Sequence, residues 1–322
     1  MKKVTILGGG TGSFVVLSGL KSHPLDIAAI VTMMDSGGST GRLRDQLGVL
    51  PPGDLRQCLV ALSDAPKLWR ELFLYRFEKG DLEGHNFGNI FLSALQKVCD
   101  NYQDVIDTAS YVLKTKGKVI PVTFEDTHLC VEYMTGTVLK GESNIDEDNL
   151  EVSKIKRAFL EPEVYANQKA IDRILESDTV IIAPGDLYTS LIPILVTKGI
   201  KEAIQQSKAK LIYNLNLMNK HGQTTDYTGS EHVEDITRYA GREPDIVVVN
   251  SAQIPQNILE WYKTHKEVVT VNDISSSQFK GTVVEADLIS DQEYSKSDSD
   301  VLSRSILRHD PEKLAKVLLE NI

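Results

Sequence analysis

The sequence predicts an α/β fold with a doubly wound, mostly parallel sheet and a small antiparallel insertion. Three observations carry this. Apolar, β-rich runs recur along the chain with helical stretches between them, as repeated strand–helix–strand units require. The runs at 178–185 and 245–250 are nearly continuous in apolar residues, as strands covered on both faces are. The first twenty residues read as strand, glycine turn and helix, the opening of a nucleotide-binding unit.

Taken in order, Lys2-Lys3-Val4-Thr5-Ile6-Leu7 is the first strand, Gly8-Gly9-Gly10-Thr11-Gly12-Ser13 the turn and 14–20 the helix. Further strands are expected at 27–32, 119–122, 179–183, 211–215 and 246–250. Leu55, Cys58, Leu59 and Leu62 fall at helical spacing, as do Phe87, Ile90, Phe91, Ala94, Leu95 and Val98. Segments 127–134 and 135–140 read as a hairpin and 153–159 as a third strand; the acidic run 142–151 between them reads as a solvated loop. After 183 a helix is expected with Leu191, Ile194 and Leu195 inward. Residues 272–303 are polar and serine-rich, expected to be partly mobile, with one strand at 281–289. Asp310-Pro311 makes an N-cap and first helical position, followed by Leu314, Val317 and Leu318 on an inward face. No internal repeat or low-complexity segment is present. The chain, 1–322, reads as one domain with 123–161 as an antiparallel insertion within it.

Composition narrows the function. The 322 residues suffice for a sizeable core, and 41% hydrophobic with 25% charged content is that of an ordinary globular protein. Lys and Arg number 35 against 45 Asp and Glu, a net charge of −10, which argues against general nucleic-acid binding. Cys58, Cys99 and Cys130 form no C-x-x-C pair and suit a reducing compartment. No apolar run approaches the roughly 20 residues that span a bilayer. A cytoplasmic location is expected.

The candidate chemistry gathers at strand ends. Gly8, Gly9, Gly10, Thr11 and Gly12 place backbone N–H groups at a helix N-terminus, which suits a phosphate; a tight turn without ligand is the alternative. The spacing departs from G-x-G-x-x-G, with Ser13 where the third glycine would stand. Asp35 follows the second strand and could meet a ribose hydroxyl, hold a metal or cap a turn. It opens a second glycine-rich element, Asp35-Ser36-Gly37-Gly38-Ser39-Thr40-Gly41-Arg42-Leu43-Arg44. Arg42, Arg44 and Arg56 suggest an anion pocket, unless they pair with Asp45, Asp54 and surface acids. His85 precedes Asn86, a plausible N-cap, and Asn89; it reads as a phosphate partner, an acid–base group or a local hydrogen-bonding residue. Pro184-Gly185-Asp186-Leu187-Tyr188-Thr189-Ser190 repeats the anion-site arrangement, with Asp186 alternatively a plain N-cap, and Asn214 and Asn216 end the next strand. The sequence offers no defensible Ser-His-Asp order, no Walker A ending and no cysteine metal site.

These motifs together resemble the gluconeogenesis factor family, relatives of the phospholactate transferases of deazaflavin cofactor synthesis. The resemblance rests on Ile6–Gly12, Asp35–Arg44, Pro52-Gly-Asp54-Leu-Arg56, His85–Asn89, Pro184–Ser190 and Asn214-Leu-Asn216-Leu-Met218. It runs from the N-terminus to about residue 255, with Arg308-His-Asp-Pro-Glu-Lys-Leu314 a candidate extension. It implies a Rossmann-like fold, a bacterial cytoplasmic protein, binding of UDP-N-acetylglucosamine and a role in gluconeogenic growth and cell shape, with no settled reaction. Asp54, Tyr262 and Arg308 join the expected ligand site; no catalytic residue and no metal ligand are assigned. Two departures stand out. The transferase branch carries Asn-Thr-Gly-Asp-Asp where this chain has Met34-Asp35-Ser36-Gly37-Gly38-Ser39, and Gln223 stands where the gluconeogenesis branch often has Glu.

Two classes of function therefore compete. One is a nucleotide-sugar-binding regulator with a protein partner in cell-wall precursor synthesis, an oligomer being compatible with it. The other is a phosphotransferase with a nucleoside diphosphate donor and Mg2+ on Asp35. An NAD-binding protein ranks third, for want of a hydride-transfer acid–base pair.

Overall fold

The computed structural model describes residues 1–146, 153–290 and 305–322. Its strands in chain order are β1 (Lys2–Gly8), β2 (Leu25–Val31), β3 (Lys118–Pro121), β4 (His128–Tyr133), β5 (Val138–Lys140), β6 (Ile155–Glu161), β7 (Thr179–Ile182), β8 (Lys210–Asn214), β9 (Ile246–Asn250) and β10 (Thr282–Ala286). Seven of them form one sheet in the order β10-β9-β8-β7-β1-β2-β3, and every neighbouring pair is parallel. Ile6 of β1 lies opposite Ala29 of β2 on one side and Ile181 of β7 on the other. Val4, Ile6, Ala28, Ala29, Ile30 and Ile181 are all within 1% of complete burial, so helices cover both faces. The expected α/β, Rossmann-like sheet is present.

The order of connection decides where a ligand fits. From β1 the chain moves outward through β2 to β3, then returns to β7 on the other side of β1 and moves outward through β8, β9 and β10. That reversal leaves a crevice outside the carboxyl ends of β1 and β7, the place where open parallel sheets take ligands. Five helices fill the long connection between β2 and β3: Gly38–Leu47, Gly53–Leu62, Lys67–Leu74, Phe87–Val98 and Tyr102–Leu113. The first expected apolar stripe is buried, with Leu55, Cys58, Leu59 and Leu62 fully covered, but the second is corrected: Phe87, Ile90, Phe91 and Leu95 are half-buried, Ala94 and Val98 are exposed, and Gly88, Asn89, Leu92 and Ser93 make the buried face because the helix packs through its small and polar side. Asn86 caps the fourth of these helices by accepting from the Asn89 N–H. The last helix, Pro311–Asn321, is capped by Asp310, whose carboxylate accepts from the Glu312 and Lys313 N–H groups at 2.9 Å.

Between β3 and β7 the chain makes a three-stranded antiparallel sheet, β5-β4-β6. Leu129, Val131 and Tyr133 turn to the core, and the Tyr133 hydroxyl donates to the Gly222 carbonyl. The acidic run read as a solvated loop is corrected here. Its described part forms a short helix, Glu142–Ile145, because Ile145 is wholly buried and pulls the segment inward. Residues 147–151 of that run lie outside the described residues. After β7 the expected helix begins with one wide turn, Leu187–Leu191, and continues as Ile192–Leu195, with Leu191, Ile194 and Leu195 buried as expected. β10 is shorter than expected, since Leu288 and Ile289 leave the sheet edge for the core. Of the segment expected to be partly mobile, 291–304 lies outside the described residues. Among the described residues no helix is long and apolar enough to cross a membrane.

Candidate functional site

Four helices begin at the carboxyl edge of the sheet, and none is capped by a side chain: Gly10–Leu20, Gly38–Leu47, Gly53–Leu62 and the segment from Leu187. The first-turn amides of a helix have no partner within it, so these starts supply donors and the positive ends of helix dipoles. Gly10, Gly12, Gly37, Gly53 and Gly185 line the cavity they surround, whose volume is about 530 Å³. That lies within the roughly 300–1,000 Å³ usual for small-molecule sites.

Glycine is required here by packing. A Cβ on Gly12 would stand 1.5 Å from the Pro184 carbonyl oxygen, so the turn after β1 rests directly on the turn after β7. A Cβ on Gly53 would stand 2.3 Å from Asp35 Oδ2. Gly12 thus supplies the close approach that the spacing assigned to position 13, and Ser13 is buried beneath Gly8. Asp35 is held by the Gly37 N–H, which donates to its Oδ1 at 2.9 Å. Across the cavity the Gly185 N–H donates to Asn216 Oδ1 at 2.7 Å.

Of the residues expected at the site, Gly10, Thr11, Gly12, Asp35, Gly37, Ser39, Asp54, Asn89, Gly185, Asp186, Asn216 and Arg308 line this one cavity. Ser36, His85 and Asn86 bond residues of its wall and Gly9 packs behind Ser190 and Asp54, whereas Gly8 and Gly38 do not line it. Ser39 Oγ contacts His85 Nδ1 at 3.2 Å and accepts from the Asn86 N–H at 3.2 Å. Asn89 donates to Thr40 Oγ1 and accepts from Arg56 Nε at 2.8 Å. His85 is a support: burial first, then Arg42 and Arg76, hold its pKa below the ordinary value, so the ring is neutral at pH 7.

Other expectations are corrected. Arg42 is exposed and donates to the Glu83 carbonyl at 2.9 Å. Arg44 points into a different part of the molecule, paired with Asp126 at 2.5 Å. Of the three arginines expected to meet an anion, Arg56 alone lines the cavity. Tyr188 is fully buried and donates to Asp235, and Thr189 is buried against Gln223. Asn214 is buried between strands, its amide donating to the Ile182 carbonyl. Tyr262 is buried, and its hydroxyl accepts from the Leu307 N–H at 3.1 Å. These four residues hold the walls from behind because each side chain lies inside a packed layer.

The sequence reading missed the opposite wall. Glu142, Asp146, Lys220, Trp261, His265 and Glu267 all line the cavity, as does Arg76. Trp261 stacks on His265 with ring centroids 4.0 Å apart. Lys220 pairs with Glu267 at 3.0 Å; burial opposes its charge, but Asp186, Glu267 and Asp146 outweigh that and raise its pKa. Glu142 accepts from the Ser36 N–H at 2.9 Å, and the Ser143 N–H donates to Ser36 Oγ at 3.0 Å. Burial and then Asp35 push the Glu142 carboxyl well above its usual range. Burial, with Asp186 next, pushes Asp146 up to about 7. Gln223 donates to Asp146 Oδ1 at 2.5 Å, a contact that a carboxylate at 223 would turn into repulsion. The one sequence signal for this wall was Ile145 at the centre of the acidic run.

Among the described residues no three of His, Cys, Asp and Glu group so as to hold a metal ion. Asp35 is committed to the Gly37 amide and to Glu142.

Comparison with known proteins fits this geometry. Residues 4–289 match the family model described as 2-phospho-L-lactate transferase CofD. The gluconeogenesis factor of Bacillus subtilis is 40% identical over 321 residues, covering 99% of this chain and 97% of that protein. The gluconeogenesis factor of Halalkalibacterium halodurans is 37% identical over 322 residues, covering 99% and 96%. A crystal structure of a Bacillus halodurans protein superposes with a TM-score of 0.90 at 36% identity, over 99% of this chain and 100% of that one. With the glycine turns, the sheet order and the full-length matches in agreement, the chain belongs to the gluconeogenesis factor family, within the wider 2-phospho-L-lactate transferase CofD family.

Proposed function

We propose that this protein is a nucleotide-sugar-binding regulator whose ligand is UDP-N-acetylglucosamine, serving gluconeogenic growth, cell shape and cell-wall precursor balance. One observation supports it above the others: helix starts without side-chain caps, Arg56, Trp261 and the amide of Asn216 all border a single cavity. The diphosphate suits the backbone amides and the cations, because both favour negative charge without needing a metal. The sugar and ribose hydroxyls suit Asp54, Asp186 and Asn216, which accept or exchange hydrogen bonds. Asp35 lies against Glu142, whose carboxyl is pushed up by burial and by Asp35, an arrangement that fits binding without assigning a catalytic base.

The family match favours a second reading, a transferase of phosphorus-containing groups working from a nucleoside diphosphate donor. Calorimetry separates the two. Saturable binding of UDP-N-acetylglucosamine without magnesium is expected. A response to GDP with Mg2+ and none to UDP-sugars would overturn the regulator, and a response to NAD alone would overturn both.

A further inference from the structure

Arg44 sits where no expected ligand contact reaches it, and its surroundings are those of a second site. It lines a separate cavity of about 510 Å³ that shares no lining residue with the first. The wall joins Arg44 and Gly48 at the end of one helix to Tyr102 and Gln103 at the start of another, with Phe124 and Asp126 after β3. The Arg44 side chain is 7% exposed. Its Nη2 donates to Asp126 Oδ1 at 2.5 Å and to the Thr127 carbonyl at 2.8 Å, but its buried Nη1 has no hydrogen-bond partner. A guanidinium is a fork that takes a carboxylate or phosphate through two nitrogens at once, and here one prong is unused.

The partner it does have is a poor match for so buried a cation. The Asp126 side chain is 70% exposed and reaches in from solvent. The rest of the wall also favours a negative group. The twelve-residue helix Tyr102–Leu113 begins at the cavity with the positive end of its dipole, which the Asn101 cap and Asp104 in its first turn partly offset. Burial raises the Tyr102 pKa, so its hydroxyl stays protonated. The Tyr102 and Phe124 rings, with centroids 5.9 Å apart, add an apolar flank. His128, near Arg44, is kept neutral at pH 7 by burial and by the guanidinium, so Arg44 is the cation that an anion there would meet.

We propose that this cavity is a second ligand site, for a small organic anion: a carboxylate on the Arg44 fork and a flat apolar body against Tyr102 and Phe124. Asp126 occupies the carboxylate position when no ligand is bound. The proposal stands apart from the reading of the first cavity, with which it shares no residue. It differs from a merely structural ion pair in what Asp126 does. A stand-in competes with the ligand, whereas a structural partner holds Arg44 in place.

The test is an NMR titration of the full chain with phenylacetate, with phenylacetamide as the uncharged control. Wild type should saturate with phenylacetate at millimolar concentration and bind the amide at least about tenfold more weakly. Asp126→Ala should bind phenylacetate several-fold more tightly, since it removes the competitor. Arg44→Gln should weaken it by about tenfold or more. Should Arg44→Gln fail to fold, the exposed Asp126→Ala variant and the amide control still decide. Failure of both wild type and Asp126→Ala to saturate overturns the proposal, as does affinity that neither the Asp126 change nor the loss of charge alters.

Discussion

The wall formed by the turns after β1, β2 and β7 presents backbone, whereas the wall formed by residues 217–220 and 261–267 presents charged and aromatic side chains. The first has almost no freedom to adjust. Its glycines meet carbonyl and carboxylate oxygens at distances that exclude a single added carbon. The second is held by the Lys220–Glu267 ion pair and backed by the hydrogen bond from Gln223 to Asp146, and it can respond to pH. Rigid amides suit a group whose shape and charge do not vary, such as a diphosphate. Titratable side chains suit the part of a ligand that must be distinguished from its relatives.

This contrast breaks first at Gly12. Gly12→Ala forces a Cβ into the Pro184 carbonyl and should cost about 4 kcal/mol or more in urea unfolding, or prevent folding. Gly48→Ala is the control: its φ is +58° but nothing stands within 4 Å, so the cost should be the conformational one of about 1–2 kcal/mol. Similar losses in the two variants would show that packing between the two turns does not distinguish Gly12. On the other wall, Lys220→Met leaves Glu267 without its cation in a largely buried pair and should cost about 2–4 kcal/mol. Adding Glu267→Gln should recover much of that loss, as a chemical-denaturation cycle would reveal.

The two walls also differ in how far the sequence disclosed them. The backbone wall is local: strand, glycines and helix start follow one another within a dozen residues, so Gly10, Gly12, Gly37 and Gly185 were legible from composition and period. The parallel sheet was legible for the same reason, and the long apolar runs of β7 and β9 announced it. The side-chain wall is assembled from distant segments. Glu142 reaches Ser36 across more than a hundred residues, and no local pattern encodes that meeting. The acidic run looked solvated because its charges were visible and the burial of Ile145 was not. Arg44 misled for a related reason. Residues in one motif need not meet one ligand: Ser39 and Thr40 enter the cavity, while Arg44, one turn beyond Thr40 and about 6 Å further along the helix, is taken by Asp126 and the Thr127 carbonyl.

A smaller effect sharpens the comparison through protons. Asp146 has a folded pKa of about 7, against an ordinary 3.8. A carboxyl raised in this way binds more protons folded than unfolded across that window. Its contribution is therefore fully present below about pH 4 and lost as pH rises through about 7. Between about pH 5 and pH 8 the wild type should lose about 1–3 kcal/mol relative to Asp146→Asn, read as the difference of two urea midpoints. Histidines with lowered pKa values, such as His85, act in the opposite direction but cancel in that difference. A pH-independent difference would place Asp146 in solvent.

The smallest expected effect is the most discriminating for the ligand. Arg42 and Arg56 both belong to the glycine-rich half, and by sequence either could meet a phosphate. Arg42 is exposed and spends its Nη2 on the Glu83 carbonyl, outside the cavity, while Arg56 is 7% exposed and lines it. Arg42→Ala should leave the dissociation constant for UDP-N-acetylglucosamine within about twofold of wild type, since screened, solvent-facing charges contribute little. Arg56→Lys keeps the charge but loses the fork that bonds Asn89, and should weaken the same ligand by about tenfold. A loss at Arg42 with none at Arg56 would mean that the diphosphate lies outside the glycine turns, and calorimetry on the two variants decides it.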